Sequence, residues 1–103
     1  MLESAYQSRL IIRLRQELPG CVVLKNDSGY QQGIPDLLIL FGQRWAALEV
    51  KKSANAKVQP NQDYFVDLLN ELSYAAYIYP ENEEEIFRAL QQTFKPLRKA
   101  RIS

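Results

Sequence analysis

Gly33-Ile34-Pro35-Asp36-Leu37-Leu38-Ile39-Leu40-Phe41-Gly42-Gln43-Arg44-Trp45-Ala46-Ala47-Leu48-Glu49-Val50-Lys51-Lys52 decides the fold. The stretch holds two nearly continuous apolar runs, the pattern of strands buried on both faces. Between them lies Gly42-Gln43-Arg44. Gly at the first central position of a two-residue loop favours a type II′ hairpin turn. With Gly42-Gln43 as that loop, Phe41 pairs with Arg44, and counting outward sets Asp36 opposite Glu49. Opposed residues of an antiparallel pair share a face, with Cβ atoms roughly 5 Å apart. Lys51, two residues beyond Glu49, shares that face by alternation. A three-residue loop would slip the register by one and scatter the three groups.

An unpaired charge in such a place costs several kcal/mol or more, so Asp36, Glu49 and Lys51 ask for a reason. Two carboxylates and a lysine brought together make a metal-binding hydrolytic site. The plainer alternative is an ion pair of Glu49 with Lys51 at a strand end, and Asp36 as a solvated strand start after Pro35.

A chain of 103 residues is one domain with a modest core, and its net charge of +1 leaves no global basic field. Any nucleic-acid surface must therefore be local. The absence of histidine excludes a histidine-based triad and a histidine-ligated zinc site. Cys21 is alone, which excludes an internal disulfide and fits a reducing compartment. Met1-Leu2-Glu3 does not begin a signal peptide, and no apolar run approaches membrane-spanning length. The expected compartment is the cytoplasm, and no membrane partner is expected.

The remaining elements follow from periodicity. Leu2 to Leu18 reads as a helix with Ala5 or Tyr6, Leu10, Ile11, Leu14 and Leu18 inward, stopped by Pro19-Gly20. Glu3 and Gln7 continue its apolar stripe toward the start, or Glu3 simply favours the helix dipole. Cys21 to Lys25 reads as a strand, and Asn26 to Gly33 as a polar loop. After the hairpin, Ser53 to Gln59 is a second loop. Pro60 suits the first position of a helix lined by Phe65, Leu68, Leu69 and Leu72. Ala75 to Tyr79 is a strand. Asn82 can cap a last helix that opens on Glu83-Glu84-Glu85 and ends by Pro96. The fold class is α/β, in the order α-β-β-β-α-β-α. Residues 1–94 form the domain and 95–103 a basic tail.

Pro35-Asp36 followed by Glu49-Val50-Lys51 resembles the PD-(D/E)xK nuclease signature. Further features resemble its virus-type replication–repair nuclease (VRR-NUC) branch: Glu3 and Gln7, the loop Lys25-Asn26-Asp27-Ser28-Gly29, Gly33-Ile34-Pro35-Asp36, Glu49-Val50-Lys51-Lys52-Ser53 and Gln59-Pro60-Asn61-Gln62. One departure is Gln59, which stands where a helix cap normally favours Ser, Thr, Asp or Asn.

The resemblance implies a restriction-endonuclease-like core, a central mixed sheet flanked by helices. It implies a metal-dependent endonuclease hydrolysing DNA phosphodiester bonds. Asp36, Glu49 and the Val50 carbonyl would hold Mg²⁺ or Mn²⁺, hard ions suited to oxygen ligands, and Glu3 would complete the outer metal shell or help a second ion. Lys51 would act on the attacking water and the phosphate, with Gln62 and Gln7 positioning Lys51 or a phosphate oxygen. Candidate DNA contacts are Gln7, Arg9, Arg13, Asn26, Lys52 and Lys57, although a solvated face explains Arg9 and Arg13 equally well. Standalone members of the family resemble junction-resolving enzymes, which implies a homodimer acting on branched DNA such as four-way junctions. The implied compartment includes the cytoplasm of a virus-infected bacterial host. Ile86, Phe87, Leu90 and Phe94 are wider than one narrow stripe, so the last helix and the tail are the expected dimer contact. The alternative function is a non-catalytic DNA-binding or assembly module keeping the fold.

Overall fold

The computed structural model describes residues 1–27 and 29–95. The expectations for Ser28, for Pro96 and for the basic tail beyond Lys95 fall outside the described residues. Among the described residues the elements run α1 (Glu3–Glu17), β1 (Val22–Lys25), β2 (Leu37–Phe41), β3 (Arg44–Val50), α2 (Gln62–Leu72), β4 (Tyr74–Ile78) and α3 (Glu83–Thr93), with a 3₁₀ turn at Pro80–Asn82. This is the expected α/β order. No helix among the described residues is long and apolar enough to cross a membrane.

The strands form one mixed sheet in the order β1-β2-β3-β4. β1, β2 and β3 pair antiparallel, and β4 returns parallel to β3 after the α2 crossover. The hairpin register is the expected one, with Phe41 opposite Arg44 and Leu37 opposite Leu48. Gly42 carries φ +63, and Gln43 is not among the residues with positive φ, which is the sign pattern of a II′ turn. Extending that ladder by one pair puts Asp36 across from Glu49.

Alternation divides the sheet into two faces. Leu37, Ile39, Ala46, Leu48, Val50 and Ile78 build the larger core with Tyr6, Leu10, Leu14 and Leu18 from α1 and the following turn. Ile86, Phe87, Leu90 and Phe94, from α3 and its C-terminal cap, close the same core. All four are buried, so this side of α3 is not the dimer contact expected of it. Its apolar breadth arises because the helix packs on the sheet and beside α1 at once. Tyr6, not Ala5, takes the first inward position of α1.

The opposite face carries α2, packed through Val66 on Ala47 and Ala75, with Trp45, Leu69 and Tyr77 around them. Two alanines make a shallow seat, so only a narrow edge of α2 is covered. Leu68 and Leu72, expected inward, are exposed. Pro60 is not the first helical residue. The chain turns once more, and Asn61 precedes the helix in a left-handed conformation, φ 70.

Candidate active site

The three charged groups of the hairpin meet where β2 begins and β3 ends. Glu49 and Lys51 are the only buried polar residues among those described, 3% and 7% exposed. Asp36 Oδ2 accepts the Val50 N–H at 2.9 Å, which ties the first carboxylate to the backbone beside the second. Asn26 braces this corner from β1. Its side-chain amide donates to the Pro35 carbonyl at 2.7 Å, and its N–H donates to the Asp36 carbonyl at 2.8 Å. Through these two bonds Asn26 holds Asp36 in place.

Gln62, at the start of α2, links the remaining groups. Its Nε2 donates to Glu49 Oε2 at 2.9 Å, and its Oε1 accepts from Lys51 Nζ at 2.8 Å. The Gln59 N–H also donates to that oxygen at 2.8 Å. Lys51 Nζ makes a second bond, to the Lys57 carbonyl at 2.9 Å. These partners leave the Gln62 amide one orientation only. Among the described residues the ion pairs all belong to Arg13. The plain ion pair of Glu49 with Lys51 is therefore not formed, because Gln62 stands between them.

Glu49 Oε1 is buried and has no hydrogen-bond partner among the described residues. A buried acceptor left unmade is costly. Burial first, and then the neighbouring Asp36 carboxylate, push the Glu49 carboxyl up to about 8. Lys51 opposes this shift, and Glu3 adds the weakest contribution. The group thus holds a proton where an ordinary glutamate, near 4.5, has lost it. A divalent cation answers the same need: hard carboxylate oxygens held close together, one without a donor, suit Mg²⁺ or Mn²⁺. The residues present therefore fit the implied metal.

This arrangement makes stability fall with pH. The folded chain keeps a proton that the unfolded chain releases. The Glu49 contribution is therefore largest in acid, below about 4.5, and is lost as pH rises through about 8. Between pH 6 and 9 the metal-free protein should lose roughly 2–3 kcal/mol relative to the Glu49→Gln variant. Urea unfolding of both proteins at each pH measures the difference. Parallel pH profiles would refute a proton on Glu49.

The outlying candidates divide. Glu3 is exposed at the start of α1. No three acidic, histidine or cysteine side chains gather into a metal-holding group among the described residues. Glu3 thus reaches the site only through its charge, and the carboxylate set is a pair. Gln7 lies half-buried one turn further along. Arg13 is not free for phosphate. It bonds Glu17 at 2.5 Å, Glu83 at 2.5 Å and Glu84 at 2.7 Å, and lies 4.0 Å over the Phe87 ring. Arg13 thereby joins α1 to α3. Arg9, Lys52 and Lys57 remain exposed. The backbone partners that fix Lys51, Gln62 and Asp36, at Lys57, Gln59 and Val50 respectively, carry no signal in residue type, so sequence reasoning missed them.

No family model and no curated protein matches the chain. Among solved structures the chain is similar to a "VRR_NUC domain protein", with a TM-score of 0.67 at 16% identity. The match covers 92% of this chain and 89% of that one. At that identity the likeness is one of fold, and it agrees with the mixed sheet and element order seen here.

Proposed function

We propose that the protein is a Mg²⁺- or Mn²⁺-dependent DNA endonuclease. The observation that carries this reading is the Asp36–Glu49 carboxylate pair, Asp36 half-buried and Glu49 buried, with one Glu49 oxygen lacking a donor and Lys51 tied to Glu49 through Gln62. Asp36 and Glu49 would hold the ion, with the Val50 carbonyl as a further ligand. When bound, the metal lowers the pKa of water and offsets charge developing on the phosphate.

The chain's own residues do the rest. Glu49 releases its proton before it can ligate. Lys51 Nζ has two of its three hydrogens directed at neutral oxygens. The third is free for the attacking water or a phosphate oxygen. Gln62 holds that amine at a fixed distance from Glu49, so lysine and carboxylate act as one unit. The exposed Arg9, Lys52 and Lys57 supply local positive charge for the DNA backbone.

Preference for four-way junctions and action as a homodimer complete the proposal. One domain of 103 residues offers little surface to grip both arms of a branched duplex, whereas specific protein–DNA interfaces bury on the order of 1,000 Å² or more. Two-fold symmetry is the commonest closed arrangement. A nicking assay with Mg²⁺ or Mn²⁺ on linear duplex, single-stranded and four-way DNA, alongside light scattering, tests all three parts. Metal-dependent cutting that favours the junction, by a dimer, is the expected result. Binding without cutting would leave a non-catalytic module. Equal cutting of all substrates by a monomer would remove the junction and dimer parts.

A further inference from the structure

Gly33 and Asn61 both adopt left-handed backbone conformations, φ +92 and +70, and they lie against one another. A Cβ placed on Gly33 would fall 2.6 Å from the Asn61 Cβ, 2.7 Å from its carbonyl carbon and 2.8 Å from its oxygen. No residue but glycine fits at position 33 without moving Asn61. A non-glycine residue at positive φ is itself uncommon, with Asn among the tolerated exceptions.

Each residue leads directly into the site. Gly33 ends the turn that the Ile34 N–H closes on the Gln31 carbonyl at 3.3 Å, and only Ile34 and Pro35 separate it from Asp36. Asn61 immediately precedes Gln62, and its carbonyl accepts the Phe65 N–H at 3.1 Å, the first bond of α2. Gln62 in turn holds Glu49 and Lys51. We infer that the Gly33–Asn61 contact is a latch between the two loops, setting the position of Gln62, and through it Lys51, relative to Asp36. Both are positioning residues. Their consequence for cleavage rests on the nuclease reading above, but the latch can be read without cleavage.

Two variants test it. Gly33→Ala inserts the clashing Cβ. Asn61→Val forces the other partner out of its left-handed conformation, which a β-branched side chain resists. In the metal-free protein the Gln59 N–H bonds Gln62 Oε1, so its hydrogen exchange, followed by NMR, reports where Gln62 sits. Each variant should speed Gln59 exchange at least tenfold, to the order of magnitude that local opening allows. The amides of the β2–β3 ladder should keep their protection. Asn61→Gly, which keeps the left-handed backbone, should exchange like the wild type.

In cleavage, Gly33→Ala should lower kcat about tenfold with KM little changed, and should add nothing once Gln62→Ala is present, because effects through one shared residue do not add. Unchanged Gln59 exchange in both variants would overturn the latch. Uniform loss across the ladder would overturn it too, because the contact would then serve the whole fold. Additive losses of kcat would also overturn it. If the wild type cuts no DNA while the local exchange pattern holds, the latch stands and the nuclease reading falls.

Discussion

Glu49→Gln should lower metal-dependent DNA cleavage by about a thousandfold or more, the scale of losing a group that organises transition-state charge. The substitution is the smallest available. Glutamine has the shape of the protonated acid that the metal-free site already holds. Its carbonyl can still accept from Gln62 Nε2, as Glu49 Oε2 does at 2.9 Å. Its amide can replace the orphaned Oε1 and donate toward Asp36. The fold should therefore persist, and at high pH the metal-free variant should be the more stable protein.

What is lost is an anionic ligand. Asp36→Asn should be equally inactive, since it removes the other carboxylate while its side-chain oxygen can still accept the Val50 N–H. Nicking of supercoiled DNA with Mg²⁺ and with Mn²⁺, beside calorimetric titration of Mn²⁺, measures both effects. Near-wild-type cutting by either variant would remove the catalytic assignment. Inactivity with unimpaired Mn²⁺ binding would place the metal elsewhere.

The hairpin was legible in the sequence because its register hangs on a local feature. Gly42 at the first loop position fixes the turn, and the turn fixes which side chains face each other from Leu37 to Leu48. Asp36, Glu49 and Lys51 stood out for the same reason, as charges in runs that are otherwise apolar. Non-local geometry was not legible. Arg13 looks like a helix-surface cation until α3 brings Glu83 and Glu84 against it from seventy positions away. The broad apolar side of α3 looked like a contact for a second copy. It is wide because the helix fills a corner between sheet and α1.

The start of α2 was misplaced because Pro60 carries a local helix-start signal. The helix begins at Gln62, directly after a left-handed Asn61 that lies against Gly33, a contact between loops that no periodicity encodes. The exposed Leu68 and Leu72 reflect the same limitation, since helical spacing cannot reveal that the buried seat the sheet offers α2 is two alanines, Ala47 and Ala75, edged by Trp45 and Tyr77.

Lys51→Met should cut cleavage by roughly a hundredfold to a thousandfold while leaving Mn²⁺ affinity nearly unchanged, because the amine serves the reacting groups and is not a ligand. Methionine keeps most of the apolar stem, which is buried, so the fold should tolerate it better than alanine. Two acceptors lose a donor in the exchange, Gln62 Oε1 and the Lys57 carbonyl. The first still receives the Gln59 N–H at 2.8 Å. The second lies on an exposed residue, within reach of water. The expected stability cost is about 1–2 kcal/mol, too small to unfold the domain. Loss of turnover with retained Mn²⁺ binding separates the lysine from the two carboxylates, whose loss removes both. Loss of Mn²⁺ binding in a folded variant would contradict the role given to Lys51. A folded variant with full activity would mean that the amine only fastens the loop from Lys52 to Gln59 to the sheet. Lys52, exposed and just beyond β3, is the control: Lys52→Met should weaken DNA binding modestly, in a salt-dependent way, and leave kcat close to wild type.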